Sequence, residues 1–221
     1  MSESDSNLYM IGENVNNNEV PQQLIIEKVN MDAIDGFCRE IYYCDPYTAM
    51  HAEHVADLMA GLATQMSMSA EEINLAYVVG VVHDVGKIKT PEAILTKPAR
   101  LTDEEYKIMK RHSIDGAEML SAIAGTEPIV PVMRHHHERY DGKGYPDGLI
   151  GKEIPLLSRM LAICDSFDAM TTHRCYKSPM TLPESLIEIK KCAGSQFDPE
   201  ICQAFFEFIR ERFGFELDTE T

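Results

Sequence analysis

The chain has 221 residues, 44% of them hydrophobic, and a formal net charge of -16. This length can bury one large core, but no apolar run approaches the ~20 residues of a transmembrane helix, and the start MSESDSNLYM has no signal-peptide pattern. We therefore expect a cytoplasmic protein without a membrane segment. The acidic balance also argues against a protein that coats nucleic-acid polymers, because neutralising many phosphates takes a surplus of Lys and Arg.

Residues 1–27 are rich in Asn, Glu, Gln and Ser, which predicts a mobile N-terminal arm. From residue 28 onward the apolar residues recur at helical spacing, and no segment shows sustained alternation of apolar and polar positions. We therefore predict an all-α fold, with a single-domain helical bundle over residues 28–215 and a short tail over residues 216–221.

Capping signals predict where the helices begin. Ser69 with Glu72 forms one capping box, and Gly86 is predicted to close the helix that this box opens. A second box, Thr102 with Glu105, opens one helix through TDEEYKIMKRHSIDGAEML. The start signals of the last three predicted helices are Pro155, Thr181 with Glu184, and Asp198 with Pro199.

Histidines fall on apolar helix faces or in apolar runs at several points of the chain. His51 lies one turn before Val55 on an apolar stripe, whereas His135 falls off the stripe that His136 and His137 continue. The histidines predicted to point inward are His51, His83, His112, His136 and His137.

Carboxylates accompany these histidines. Asp84 ends a buried apolar run, and Asp165 and Asp168 lie near an inward helix face. Burying a carboxylate costs several kcal/mol unless a cation or hydrogen bonds compensate for it. One inward histidine alone is more often a hydrogen-bonded core residue, but a whole set would need a separate polar partner for each ring. A pair of metal ions satisfies the set together, and we predict iron or manganese, with zinc as an alternative.

Such a pair of ions would have open positions and therefore catalytic character. If Asp84 bridges them, the candidate ligands fill eight of about twelve octahedral positions. A metal-bridging hydroxide could then attack a phosphate in line. Lys87, one turn beyond Asp84, is predicted to contact a phosphate oxygen or to protonate the leaving oxygen. The segment from Lys87 to Arg111 has seven basic and four acidic residues and by itself is most simply a solvated helix face. Beside a metal centre, it could also serve as the entrance for a small anionic substrate.

Two sequence elements carry a family resemblance. HDVGK at residues 83–87 resembles the HDxGK element of the HD superfamily of metal-dependent phosphohydrolases, and HHERYDGKGYPDGLIGKEIP resembles the signature of its HD-GYP branch. The likeness covers about residues 28–213. It implies a helical bundle of the HD-domain type with a long GYP loop, and an enzyme that hydrolyses the bacterial messenger cyclic di-GMP to a linear dinucleotide and, in some members, on to GMP.

The resemblance also implies roles for individual residues. The implied metal ligands are His51, His83, Asp84, His112, His136, His137 and Asp165, and the implied substrate contacts are Lys87, Gly144, Tyr145, Asp168, Arg174 and Lys177. Asp84 and Lys87 are the candidate catalytic residues, while Glu138 and Asp141 are expected to hold the loop. Tyr47 stands where members with a third metal carry glutamate, which implies a two-metal site.

Two other functions remain open. A phosphodiesterase for another cyclic dinucleotide, such as cyclic GMP-AMP, would use the same ligands, because a metal cluster handles phosphate and does not read bases. A signalling module that binds a nucleotide without turnover is the second. Modules of that kind usually lose ligands, whereas this chain has the whole implied set together with Lys87. That feature favours an enzyme.

Overall fold

A computed structural model of the protein describes Gly36, residues 46–172 and residues 178–214. Within these ranges the chain is helical, without a β-strand beyond two isolated bridges. The all-α prediction is therefore confirmed. The predicted arm over residues 1–27 and the predicted tail over residues 216–221 lie outside the described residues, and the domain limits stay a prediction.

The described ranges contain nine α-helices and two 3-10 helices. The α-helices are α1 Pro46–Gln65, α2 Ala70–Val82, α3 Glu92–Leu95, α4 Asp103–Met109, α5 His112–Ser121, α6 Val130–His135, α7 Leu156–Thr171, α8 Leu182–Cys192 and α9 Pro199–Phe213. The 3-10 helices are Val85–Lys89 and Gly151–Glu153. None of the helices in the described part of the chain combines the length and the apolar character that crossing a bilayer requires.

The predicted caps explain where several helices begin. The Ser69, Thr102 and Thr181 side chains each accept a hydrogen bond from the backbone three residues later, and each box is completed by a glutamate. The Asp198 carboxylate accepts from the Glu200 amide at 2.9 Å and caps α9. These bonds satisfy amide groups that have no partner inside the helix.

Helix α1 lies at the centre of the bundle and contacts α2, α7 and α9. Its side chains Val55, Met59 and Leu62 are fully buried. Gly80 of α2 lies so close to the backbone of Ala56 that a Cβ atom would collide with it, and this close approach brings α1 against α2.

The prediction that Gly86 closes a helix is wrong. Helix α2 ends at Val82, and the chain continues as the 3-10 helix Val85–Lys89. A Cβ atom on Gly86 would collide with the carbonyl oxygen of His112 and the backbone nitrogen of Gly116. A glycine is needed here because the 3-10 helix packs directly against the backbone of α5.

The single helix predicted after Thr102 is also wrong, because it breaks into α4 and α5. At the break, the Arg111 amide donates to the Ile108 carbonyl at 3.0 Å, which is the tighter bond of a 3-10 turn. The His112 ring donates from Nδ1 to the Met109 carbonyl at 2.7 Å. The break therefore sets His112 at the first position of α5 with its ring held by the preceding turn.

Candidate metal centre and substrate cleft

Two groups of potential metal ligands lie beside each other. The first group consists of His51, His83 and Asp165, and the second of His112, His136 and His137. Within each group the candidate ligand atoms lie within 4.8 Å of one another. The centroids of the His83 and His136 rings, one from each group, are 6.1 Å apart.

Asp84 lies between the two groups. Its Oδ2 atom is 3.4 Å from His83 Nε2, and its Oδ1 atom is 3.8 Å from His112 Nε2. Each carboxylate oxygen therefore faces one group, which is the arrangement that a bridge between two cations requires. The structure brings together all the ligands that the sequence predicts, although they come from segments as distant as α1 and α7.

Backbone carbonyls fix the orientation of three imidazoles. In each case Nδ1 donates a hydrogen bond to the carbonyl three residues earlier. The bonds run from His83 to Gly80 at 2.7 Å, from His112 to Met109 at 2.7 Å and from His136 to Met133 at 2.6 Å. Because Nδ1 carries the proton in each ring, Nε2 is left as an unprotonated acceptor that faces the centre.

These acceptors need a cation. His112 Nε2 lies 3.2 Å from His136 Nε2, and no proton is left to join two acceptors in neutral rings. His83 Nε2 is buried without a hydrogen-bond partner among the described residues. Imidazole nitrogens and carboxylate oxygens are a donor set that suits divalent iron, manganese or zinc. The side chains of the site therefore fit divalent metal ions.

The electrostatics keep the second group neutral. Burial lowers the pKa of His136 well below its usual range, and the neighbouring His137 and His112 lower it further. Burial, followed by the effect of His112, lowers the pKa of His137 to about 3. A neutral imidazole is the form that binds a metal ion, so these rings need not release a proton first.

Carboxylates dominate the electrostatics of the first group and of Asp84 beside it. Burial opposes a charge on His51, but the Asp165 and Asp168 carboxylates outweigh burial and raise the pKa of His51 to about 9. At Asp84 burial also opposes the charge, yet Lys87 and His83 hold the pKa of its carboxyl well below the usual range. The carboxylates are thus ionised, and they favour positive charge at this position.

The contacts of Asp168 point to a role in orienting His51, and its predicted role as a substrate contact stays a prediction. Its side chain is 3% exposed and accepts a hydrogen bond from His51 Nδ1 at 2.6 Å. Its other oxygen lies 3.1 Å from His54 Nδ1 and accepts a bond from the Thr172 hydroxyl at 3.0 Å. With both oxygens occupied, Asp168 orients the His51 ring in the way that the backbone carbonyls orient the other rings.

The GYP loop is tied to the residues that follow α6. Glu138 is buried, and its Oε1 atom accepts hydrogen bonds from the amides of Asp147 and Gly148 at 2.7 and 2.9 Å. A Cβ atom on Gly144 would collide with the backbone of Glu138 and Arg139. These contacts agree with the predicted loop-holding role of Glu138. They also explain why a glycine is needed at position 144 without invoking a ligand.

Tyr145 contacts one of the candidate ligands directly. Its ring stacks on His137 with a centroid distance of 4.9 Å and an interplanar angle of 29°, and its amide donates to the His137 carbonyl at 3.2 Å. Part of the Tyr145 ring, which the family resemblance implies as a substrate contact, therefore packs on a candidate ligand. This contact fixes the position of the His137 ring.

A cleft of about 530 Å³ opens onto the two groups. Lys87, Gly144 and Tyr145 line it, and Lys87 Nζ lies 2.5 Å from Asp84 Oδ2. The predicted contacts Arg174 and Lys177 lie outside the described residues, as does the side chain of Tyr47.

The cleft also has lining residues that the sequence did not predict. They are Tyr106, Met109, Arg139, Lys143, Ser166, Ala169 and Gln196. Arg139 donates to Gln196 Oε1 at 3.2 Å and pairs with Asp141, so these polar groups form a connected wall. Arg139 and Gln196 lie outside helices, so no helical periodicity shows whether their side chains point toward the cleft. Only their positions within the HHER and GSQFDP segments could have identified them as cleft residues.

Comparison with known proteins gives a family and several relatives. The HD domain family model matches residues 40–201. A cyclic di-GMP phosphodiesterase of Pseudomonas aeruginosa is 40% identical over 166 residues, which are 75% of this chain and 40% of the relative. A 3'3'-cGAMP-specific phosphodiesterase of Vibrio cholerae is 42% identical over 138 residues, which are 62% of this chain and 32% of that protein. The chain spans less than half the length of the curated relatives it matches.

A solved structure has the same fold. An HDG"Y"P protein from Bdellovibrio bacteriovorus matches with a TM-score of 0.60 at 17% sequence identity, covering 74% of this chain and 52% of that chain. At this level of identity the match supports a shared arrangement of helices and nothing beyond the fold.

Proposed function

This chain belongs to the HD domain family, and from that membership together with the geometry of its buried histidines we propose a metal-dependent phosphodiesterase that hydrolyses cyclic di-GMP to the linear dinucleotide. The observation that supports this proposal most strongly is the contact between unprotonated nitrogens of His112 and His136 beside Asp84, at the edge of a cleft. The similarity to a Pseudomonas aeruginosa cyclic di-GMP phosphodiesterase supports the choice of substrate.

In this proposal two metal ions share the site. His51, His83 and Asp165 would hold one ion and His112, His136 and His137 the other, with Asp84 placed between the two groups to contribute to both. Divalent ions bound there, iron or manganese by preference, would activate water as a nucleophile and offset the charge on phosphate oxygens.

The chain's own residues would position the substrate. The Lys87 ammonium beside Asp84 is close enough to the centre to donate a hydrogen bond to a phosphate oxygen or a proton to the leaving oxygen. Tyr145 keeps the His137 ring in place. Arg174 and Lys177 remain proposed substrate contacts on the strength of the family resemblance alone.

Cyclic GMP-AMP is the alternative substrate. It is favoured by the 42% identity to a 3'3'-cGAMP-specific phosphodiesterase. Groups that bind phosphate carry no information about the bases, so the metal centre itself cannot separate the two dinucleotides.

The proposal is tested by purifying the protein anaerobically with iron or manganese, incubating it with each dinucleotide and resolving the products by chromatography. We expect conversion of cyclic di-GMP to the linear dinucleotide, and no conversion by the double variant His83→Ala/Asp84→Ala. Turnover of cyclic GMP-AMP alone would assign the alternative substrate. A folded wild-type protein that retains metal and converts neither nucleotide would contradict the proposal and favour a binding module.

A further inference from the structure

Most basic residues around the cleft are paired with carboxylates. Lys87 pairs with Asp84 at 2.5 Å, and Arg139 with Asp141 at 2.9 Å. Lys143 lies 3.8 Å from the same Asp141 carboxylate. The charges of these residues are therefore largely balanced within the protein, and they add little net attraction for an anionic substrate.

Lys110 is different. It follows the last residue of α4, is partly buried, and has no carboxylate within ion-pair distance in residues 46–172 and 178–214. Its Nζ atom lies 5.2 Å from the ring centroid of Tyr106 and 5.3 Å from that of Tyr145. Both tyrosines line the cleft, and the ammonium lies next to these two rings of its wall.

Two aromatic rings compensate only in part for the hydration that a partly buried ammonium loses. A cation over an aromatic ring gains about 0.5–2 kcal/mol, whereas an ammonium bonded to a phosphate oxygen forms a stronger, charge-assisted contact. Lys110 thus retains the capacity to bind an anion that enters the cleft.

The position of Lys110 relative to the metal centre suggests which anion. Tyr145 contacts Lys110 and also stacks on His137, so a single aromatic ring separates the ammonium from a candidate ligand. A cyclic dinucleotide has two phosphodiesters on opposite sides of one macrocycle. When one of them is at the metal centre, the other lies elsewhere in the same cleft with its own negative charge.

We propose that Lys110 binds the second phosphodiester of the cyclic dinucleotide, the one that is not being hydrolysed. The proposal rests on the proposed function and adds a residue that selects cyclic dinucleotides over compounds with a single phosphodiester. The reacting phosphodiester is at the metal centre in both kinds of substrate, and only a cyclic dinucleotide brings a second anion to Lys110.

The test compares Lys110→Met with Lys107→Met, which removes the same charge three residues earlier at an exposed position of α4. Each variant is assayed with cyclic di-GMP and with bis(4-nitrophenyl) phosphate, which has one phosphodiester. We expect Lys110→Met to raise KM for cyclic di-GMP about tenfold, as for loss of a hydrogen bond to a charged group. With bis(4-nitrophenyl) phosphate, kcat/KM should stay unchanged, and Lys107→Met should match the wild type with both substrates.

A binding measurement makes the test independent of turnover. Calorimetry with a phosphorothioate analogue of cyclic di-GMP should give an affinity about tenfold weaker for Lys110→Met, and Lys110→Arg should recover most of it. Thermal unfolding of each variant checks that the fold is intact.

Three results would contradict either the role of Lys110 or the proposed function. An equal loss with both substrates would overturn the proposal, because Lys110 would then act through Tyr145 and His137. Unchanged kinetics with both substrates would overturn it as well. A wild-type protein that cleaves bis(4-nitrophenyl) phosphate but neither cyclic dinucleotide would instead contradict the proposed function.

Discussion

Asp168 illustrates how a residue near a site can act through another residue. Its carboxylate is buried, and it orients His51, whose other ring nitrogen, Nε2, lies 3.2 Å from Asp165. Groups that orient a metal-ligating histidine typically contribute about 10- to 100-fold to metal affinity. The contribution of Asp168 should therefore appear in metal binding.

We expect Asp168→Asn to weaken metal binding about 10- to 100-fold, while KM of the metal-saturated enzyme stays near that of the wild type. The reason is that the amide supports the His51 ring less well than the carboxylate does. The measurement is a metal titration of the stripped protein, followed by kinetics at saturating metal. Glu53→Gln, an exposed change on α1, the helix that carries His51, serves as the charge control. A raised KM at unchanged metal affinity would contradict this role and support the predicted role of Asp168 as a substrate contact.

At the scale of elements, the contact between the 3-10 helix Val85–Lys89 and α5 holds Asp84 next to the second group of candidate ligands. The 3-10 helix directly follows Asp84, and α5 begins with His112. Gly86 and Gly116 face each other across this contact. The distance between these backbones therefore sets the distance between Asp84 and the second group of ligands.

Gly86→Ala should lower the free energy of unfolding by about 1–3 kcal/mol, because the added methyl group meets backbone atoms that have no room to move. Chemical denaturation of the metal-free protein measures this change. Gly116→Ala is the matched comparison: its Cβ atom would lie 3.2 Å from Gly86 N, and alanine favours a helix interior, so we expect a smaller loss. Equal stability of Gly86→Ala and the wild type would show that the contact is looser than described.

The helix starts that carry a capping box could be predicted from sequence, but the end of α2 and the break between α4 and α5 could not. Ser69, Thr102 and Thr181 act through bonds to residues three positions away, and a local pattern contains all the information needed. The end of α2 at Val82 and the break before His112 depend on contacts with distant segments. Such contacts leave no local pattern, and both predictions failed at these places.

At the scale of the whole molecule, the candidate ligands are spread from His51 on α1 to Asp165 on α7. Apolar stripes and apolar runs were enough to select the inward histidines, although His83, His136 and His137 lie just past the ends of their helices. They could not identify Arg139 or Gln196, which line the cleft from outside the helices. The pairing of ligands into two groups also became visible only when the helices were packed together.

Because the ligands come from distant segments, the unfolded chain has no preformed site, and metal should stabilise the folded state. Adding manganese to the stripped protein at 100 times its dissociation constant should contribute about 2.7 kcal/mol. Thermal unfolding with and without metal measures this as a rise in Tm. The double variant His83→Ala/Asp84→Ala should show no such rise. An equal rise in both proteins would mean that the metal binds elsewhere.

The most direct test of the dinuclear centre is anomalous diffraction from crystals of the metal-loaded protein. We predict two peaks roughly 3.5–4 Å apart, the usual spacing in two-metal sites, with one oxygen of Asp84 facing each peak. One peak should be bound by His51, His83 and Asp165, and the other by His112, His136 and His137. A single peak, or peaks away from these side chains, would contradict the two-metal account.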